Sequence, residues 1–446
     1  MWLSGCNQIN SSTQEPTRIN PVLTPAQRPT ATSTTAPTPT SQPTVIQSPT
    51  LVISAKPIVV PTVLPLPTVF PQIDRKPGVD NLNRGALALL PSYDPASEDI
   101  WQVDLRSYNL SRLDLSHSID DLAYADFDTQ TTWPSPDKMP PDFDWQQVLE
   151  SGKNPGLGIR QLHTQGITGV GVGIAIIDQP LLVTHQEYAE QLRWYAETSE
   201  IPSIARATFH GAGVASLAVG KTVGVAPGAD LYYIASMLCL NQATGKHDFS
   251  CLSPLIRRIL QLNQKLPVDH KIRVISLSVG WRPGNTGYDD ITIAVQEAME
   301  AGMLVVYSSS LDVNGFKFDG LGRSPLADPD KPESYEHRIW QARQFYENPQ
   351  PSNVLLVPMD SRTIASPVGI SDYTFYREGG PSWSIPYIAG LYALVAQVRP
   401  AITPDEFWSL ALQTGQTIKL RRNGKVILLG PIIDPVALIS RLQVLK

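Results

Sequence analysis

Val172-Gly-Ile-Ala-Ile-Ile177, closed by Asp178, is apolar throughout and rich in β-branched residues. A strand with apolar side chains on both faces has no solvent side, so the run predicts a sheet covered above and below. Outward from it, Val214–Val219 is small and apolar, Asp230–Ser236 is strand-like, and Cys251–Leu266 carries apolar residues at helical spacing. Val274–Val279 reads as another strand, Asp290–Ala301 as a helix and Met303–Tyr307 as a further buried strand. This alternation predicts an α/β fold of three layers, a mostly parallel central sheet with helices on both faces. Ligands in such folds gather at the carboxyl ends of the strands.

The remainder of the 446 residues is organised by composition. Between Ser11 and Pro71 lie 13 of the 40 prolines, 13 threonines, no glycine and four charged residues. Proline removes backbone donors and few large side chains offset chain entropy, so residues 1–71 read as an extended Ser/Thr/Pro tether. Residues 72–141 read as a small acidic extension, and 142–446 as the main domain. Lys and Arg number 35 against 41 Asp and Glu; the tether holds three basic and one acidic residue, which leaves −8 on the rest. A nucleic-acid partner bound through its phosphates needs the opposite sign and is excluded.

Within the extension, Asp104-Leu105, Asn109-Leu110 and Asp114-Leu115 recur with a period of five and resemble a pentapeptide repeat. Three copies cannot bury a core alone, so a segment packed on the main domain is expected. The carboxylates Asp120, Asp121, Asp126 and Asp128 suit either a hard cation or, more simply, a solvated loop with capping aspartates.

Three stretches carry the chemistry. Asp178 ends the first strand and is followed seven residues later by His185. His210-Gly211-Ala-Gly-Val-Ala215 opens a small-residue segment, with Gly224-Val-Ala-Pro227 downstream. Gly380-Pro-Ser382-Trp-Ser-Ile-Pro386-Tyr-Ile-Ala-Gly390 feeds an apolar helix. Separately, Asp178 reads as a turn residue, His210 as a packing or capping residue, and Ser382 as an N-cap. Together, in the order Asp, His, Ser and with these neighbours, they resemble the subtilases, the subtilisin-like serine peptidases. The resemblance runs from about Asp142 to Lys446, the closing Gly430–Leu438 included.

That resemblance implies a subtilisin-like fold and an endopeptidase acting through an acyl-enzyme intermediate. Ser382 attacks, His210 takes and returns the proton, and Asp178 orients the imidazole. The Ser382 N–H, at a helix N-terminus, faces the developing oxyanion, and Pro386 falls in the first turn, where a missing N–H costs little. It further implies that an extended peptide or protein substrate pairs with Ser278, Val279 and Gly280, with Ser308, Ser309 and Ser310 lining one wall of the specificity pocket. No cofactor is required, and structural calcium is compatible with the family. The chain departs from the family pattern at the second oxyanion donor: an ungapped match puts Leu311 there, with Asp312 and Asn314 as the nearby candidates. Gly213 and Trp383 replace a His and a Met, and Trp383 beside the nucleophile predicts altered substrate access. The alternative function is a weakly active or inert peptide-binding module on the same fold.

Leu3-Ser-Gly-Cys6 ahead of the tether resembles the lipobox of bacterial lipoproteins, with five residues before the cysteine. It implies lipidation of Cys6, membrane attachment and a location outside the cell or on its surface, with a signal segment upstream of Met1. Cys239 and Cys251 suit either a disulfide closing a surface loop or two unpaired thiols.

Overall fold

The computed structural model describes residues 66–67, 69–97, 99–241, 245–308, 315–347, 353–422 and 424–444. The chain divides into two units, Met1–Val60 and Pro61–Lys446, and every described residue belongs to the second. Cys6 and nearly all of the expected tether lie outside the described residues.

Six strands, β1 (Gln72–Ile73), β2 (Gly173–Asp178), β3 (Leu192–Glu197), β4 (Asp230–Ala235), β5 (Ile272–Leu277) and β6 (Leu304–Tyr307), pair in parallel in the order β1-β3-β4-β2-β5-β6. Four main helices cover the sheet: α1 (Phe209–Val219), α2 (Ser253–Lys265), α3 (Tyr288–Glu300) and α4 (Pro381–Val398). The strand period of two sorts the residues between layers. Ile174 and Ile176 of β2 enter one apolar cluster with residues of α1 and α4, whereas Ala175 and Ile177 enter the other with α2 and α3. The fold is therefore the α/β architecture read from the sequence, a parallel sheet with helices on both faces.

The strand order sets the position of the site. The chain leaves β2 toward β3 on one side and leaves β5 toward β6 on the other, so the crevice between the carboxyl ends of β2 and β5 is the switch point where such sheets bind ligands. Asp178 ends β2, and Ser278 follows β5. The strand expected over 274–279 stops at Leu277 because Val279 leaves the ladder: its N–H donates back to the Leu277 carbonyl at 2.8 Å and its carbonyl accepts from Ser308 at 3.1 Å.

The extension is woven into the larger unit. β1 joins the central sheet, and the strand Ala125–Asp128 pairs antiparallel with Tyr373–Tyr376 in a second sheet of four strands. The period-five repeat forms a short coil. Tyr108, Leu113 and Ser118 each donate a backbone N–H to the carbonyl of Leu105, Leu110 and Leu115 respectively, closing one turn per repeat. The three repeat leucines stack inward with Phe127, Val148 and Phe375. Residues from both sides of position 141 thus share one apolar cluster.

Leu110 is fully buried in this cluster. Leu110→Ala is expected to lower the unfolding free energy by about 2–5 kcal/mol through transfer and cavity costs. Urea unfolding followed by tryptophan fluorescence should show one shifted transition, since the coil shares its apolar cluster with Val148, Val223 and Phe375 of the main domain.

Candidate active site

Asp178, at the carboxyl end of β2, is fully buried. Its Oδ1 accepts from the Gln179 N–H at 2.8 Å and from His210 Nδ1 at 2.6 Å. Among the described residues Oδ2, which is buried, has no hydrogen-bond partner, so the carboxylate charge is left to be balanced by the imidazole. Burial alone depresses the His210 pKa, but the adjacent Asp178 charge and the hydrogen bond outweigh it and hold the imidazole above the ordinary histidine range.

His210 is the second residue of α1, which Thr208 caps by accepting the Gly211 N–H at 3.0 Å. The helix reaches Asp178 because residue 211 has no side chain. A Cβ there would collide with the Gln179 carbonyl and stand 2.8 Å from the Pro180 carbonyl. Any larger residue pushes the α1 N-terminus, and His210 with it, away from β2.

Ser382 lies in the first turn of α4 but does not cap it. Gly380 is the N-cap, Pro381 is the first helical residue and Ser382 the second. Pro386 lies beyond the first turn, a correction to the sequence reading. Lacking an N–H, it leaves the carbonyl of Ser382 without its helical donor. The Ser278 hydroxyl occupies that position, donating to the Ser382 carbonyl at 3.3 Å. Sequence reasoning assigned Ser278 to substrate pairing and missed this contact; the signal was a proline four residues after the serine inside an apolar helix.

Among the described residues the Ser382 hydroxyl makes no hydrogen bond to His210. The residue after it does meet the imidazole: the Trp383 and His210 rings lie 5.7 Å apart. A Cβ at Gly213 would come within 2.8 Å of the Trp383 ring, so the two departures from the family pattern fit each other. Trp383 is buried and packs edge-on against Tyr376 at 5.4 Å. Its indole fills the interior.

Ser278 and Val279 are buried, and Gly280 and Ser308 are partly buried. Ser309, Ser310, Leu311, Asp312 and Asn314 lie outside the described residues. Cys239 and Cys251 are joined in a disulfide with Cα atoms 5.9 Å apart. His185 is fully buried, its Nε2 2.8 Å from the Asp372 carbonyl, and serves packing. The four aspartates weighed as a cation site diverge: the Asp121 carboxylate accepts from the Tyr93 N–H, Asp126 from that of Arg377 and Asp128 from that of Ser107. Among the described residues no group of three or more His, Cys, Asp or Glu side chains converges on a metal position.

The loop just before Ser382 is held by groups that no sequence signal pointed to. The Trp101 N–H donates to Glu378 Oε2 and its indole to the Glu378 carbonyl, each at 3.0 Å. The Arg377 N–H donates to Asp126, and that of Gly379 to Asp360 at 2.8 Å. The extension therefore clamps the loop that leads into Ser382.

Residues 169–334 match the Subtilase family. Among solved structures, the prenylagaramide maturation protease PagA aligns with a TM-score of 0.42 and 17% identity, covering 64% of this chain and 98% of that one.

Burial pushes the Glu378 carboxyl up to about 7; the Trp101 N–H opposes the rise and the nearby Asp360 adds to it. An acid whose pKa is higher in the native state than unfolded contributes stability that is complete below its unfolded value and is lost as pH rises through the native one. Glu378→Gln removes that loss while keeping an acceptor for Trp101. Urea midpoints of variant and parent should coincide near pH 4, and the variant should be more stable by about 3 kcal/mol near pH 8.

Proposed function

We propose that this chain is a serine endopeptidase in which Ser382 is the nucleophile, His210 the general base and Asp178 its orienting carboxylate. The observation that carries the reading is the 2.6 Å hydrogen bond from His210 Nδ1 to a fully buried Asp178 at the switch point of the sheet. That bond fixes the neutral tautomer with Nε2 as the free acceptor, the state a base needs before it can take a hydroxyl proton. Proton transfer then creates an imidazolium beside a carboxylate whose second oxygen has no other partner among the described residues, which favours the charged intermediate.

Ser382 in the first turn of an 18-residue helix supports oxyanion stabilisation by its own N–H and the helix dipole. Pairing of an extended peptide with Ser278, Val279 and Gly280 is supported by their place just beyond the carboxyl end of β5, at the crevice. Asp312 and Asn314 are proposed for the second oxyanion donor, with Ser308, Ser309 and Ser310 as pocket wall. The missing Ser382–His210 hydrogen bond favours the second reading, an inert peptide-binding module, although such bonds often tighten only with substrate bound.

The enzyme is further proposed to be exported and tethered to a membrane through a lipidated Cys6 and the Pro-rich stretch. Among the described residues no helix is long and apolar enough to cross a membrane.

A fluorophosphonate probe is expected to label the purified chain at Ser382, and Ser382→Ala to abolish labelling; a folded parent that stays unlabelled selects the binding-module reading. His210 must be neutral to act. Labelling should therefore fall on acidification with a midpoint above the ordinary histidine value. Asp178→Asn removes the groups that raise it, so the midpoint should drop, and the rate at neutral pH should fall by a factor on the order of 10⁴.

A further inference from the structure

Near the C-terminus, strands Gln416–Arg422 and Lys425–Ile432 form an antiparallel hairpin at the edge of a five-stranded sheet. Its register pairs Ile418 with Leu429, Lys419 with Leu428, Leu420 with Ile427, Arg421 with Val426 and Arg422 with Lys425. Paired residues share a face, so the hairpin has two unlike sides. Ile418, Leu420, Ile427 and Leu429 turn inward onto the core. Lys419, Arg421, Val426 and Leu428 turn outward, with Val426 56% and Leu428 59% exposed and Lys425 exposed at the tip. Arg422 is engaged over the Tyr346 ring, whereas Lys419, Arg421 and Lys425 have no carboxylate partner among the described residues.

We infer that this outer face docks on an anionic lipid bilayer. Apolar side chains set between cations match the boundary of a bilayer, where acyl chains and charged headgroups meet. An acidic polypeptide would satisfy the cations and leave Val426 and Leu428 in water. Charge complementarity also orients the molecule: residues 72–446 carry −8 in total, so the basic hairpin is attracted to an anionic surface that the rest of the protein avoids. The inference extends the tethered reading above and explains what the tether alone does not supply. One acyl chain holds a protein only marginally and reversibly, and stable residence needs a second signal.

Docking is tested without the lipid. Full-length chain carrying Cys6→Ser is sedimented with vesicles of equal parts phosphatidylglycerol and phosphatidylcholine, and with phosphatidylcholine alone. Binding is expected to the anionic vesicles only and to be released by salt. Lys419→Glu/Arg421→Glu/Lys425→Glu should weaken it roughly 100-fold, at about 1 kcal/mol per cation. Val426→Ser/Leu428→Ser should weaken it less and leave the salt dependence intact, with circular dichroism melting verifying that both variants fold. Equal binding to both vesicle types, or unchanged binding of the charge-reversed variant, overturns the inference. Capture by polyglutamate without vesicle binding overturns it in favour of an acidic polypeptide partner. Failure of the tethered reading is seen separately, as absence of labelled palmitate on Cys6 in cells.

Discussion

Fifteen consecutive residues of α4, Ser382 to Ala396, are buried. A helix with no solvent face must be covered all round, and this requirement arranges the molecule. The central sheet lies beneath it, α1 along one flank, the strands Phe318–Arg323 and Leu355–Pro358 along another, and the terminal helix Pro435–Val444 against a third. Only the amino end of α4 reaches the crevice at the strand ends, and Ser382 is there. The same burial makes the broken backbone at Pro386 consequential. A carbonyl without a donor is tolerable in water and costly in a dry core, so the Ser278 hydroxyl is a structural necessity before it is anything else.

Close approach is the second theme. The absent side chain at Gly211 lets α1 touch the turn after Asp178, and the absent side chain at Gly213 accepts the Trp383 ring. These two positions, two residues apart on α1, set where the imidazole stands and what packs against it. The indole packs between the His210 and Tyr376 rings, 5.7 and 5.4 Å from them. Substitution at Gly211 therefore acts on His210 through displacement of backbone, and at Gly213 through the Trp383 and Ile364 side chains.

The parallel sheet was legible because Val172–Ile177 has no polar face to expose, and Asp178, His210 and Ser382 were legible as an ordered set within their local motifs. Helix starts were less so: Ser382 has the composition of an N-cap, but Pro381 takes the first helical position and moves the cap to Gly380. Tertiary partners left no trace at all. Nothing near Trp101 announces Glu378, and nothing in Gly213 announces Trp383, because contacts between segments far apart in sequence impose no periodicity on either. The five-residue repeat was readable as a segment packed on the main domain, yet the pairing of Ala125–Asp128 with Tyr373–Tyr376 was not, since a short buried strand carries no mark of which strand lies beside it.

That pairing bears on how the chain is made. Arg377 donates to Asp126 across a separation of 251 residues, and Ala125–Asp128 gains its sheet neighbour from the same late segment. At ribosomal speeds of roughly 5–20 residues per second, the coil leucines wait about 10–50 s for their cover. During that interval an apolar surface and an open strand edge are present on a nascent chain. Long-range pairing of this kind makes folding slow, and places the hazard of aggregation early in synthesis, before the residues of the loop leading into Ser382 exist.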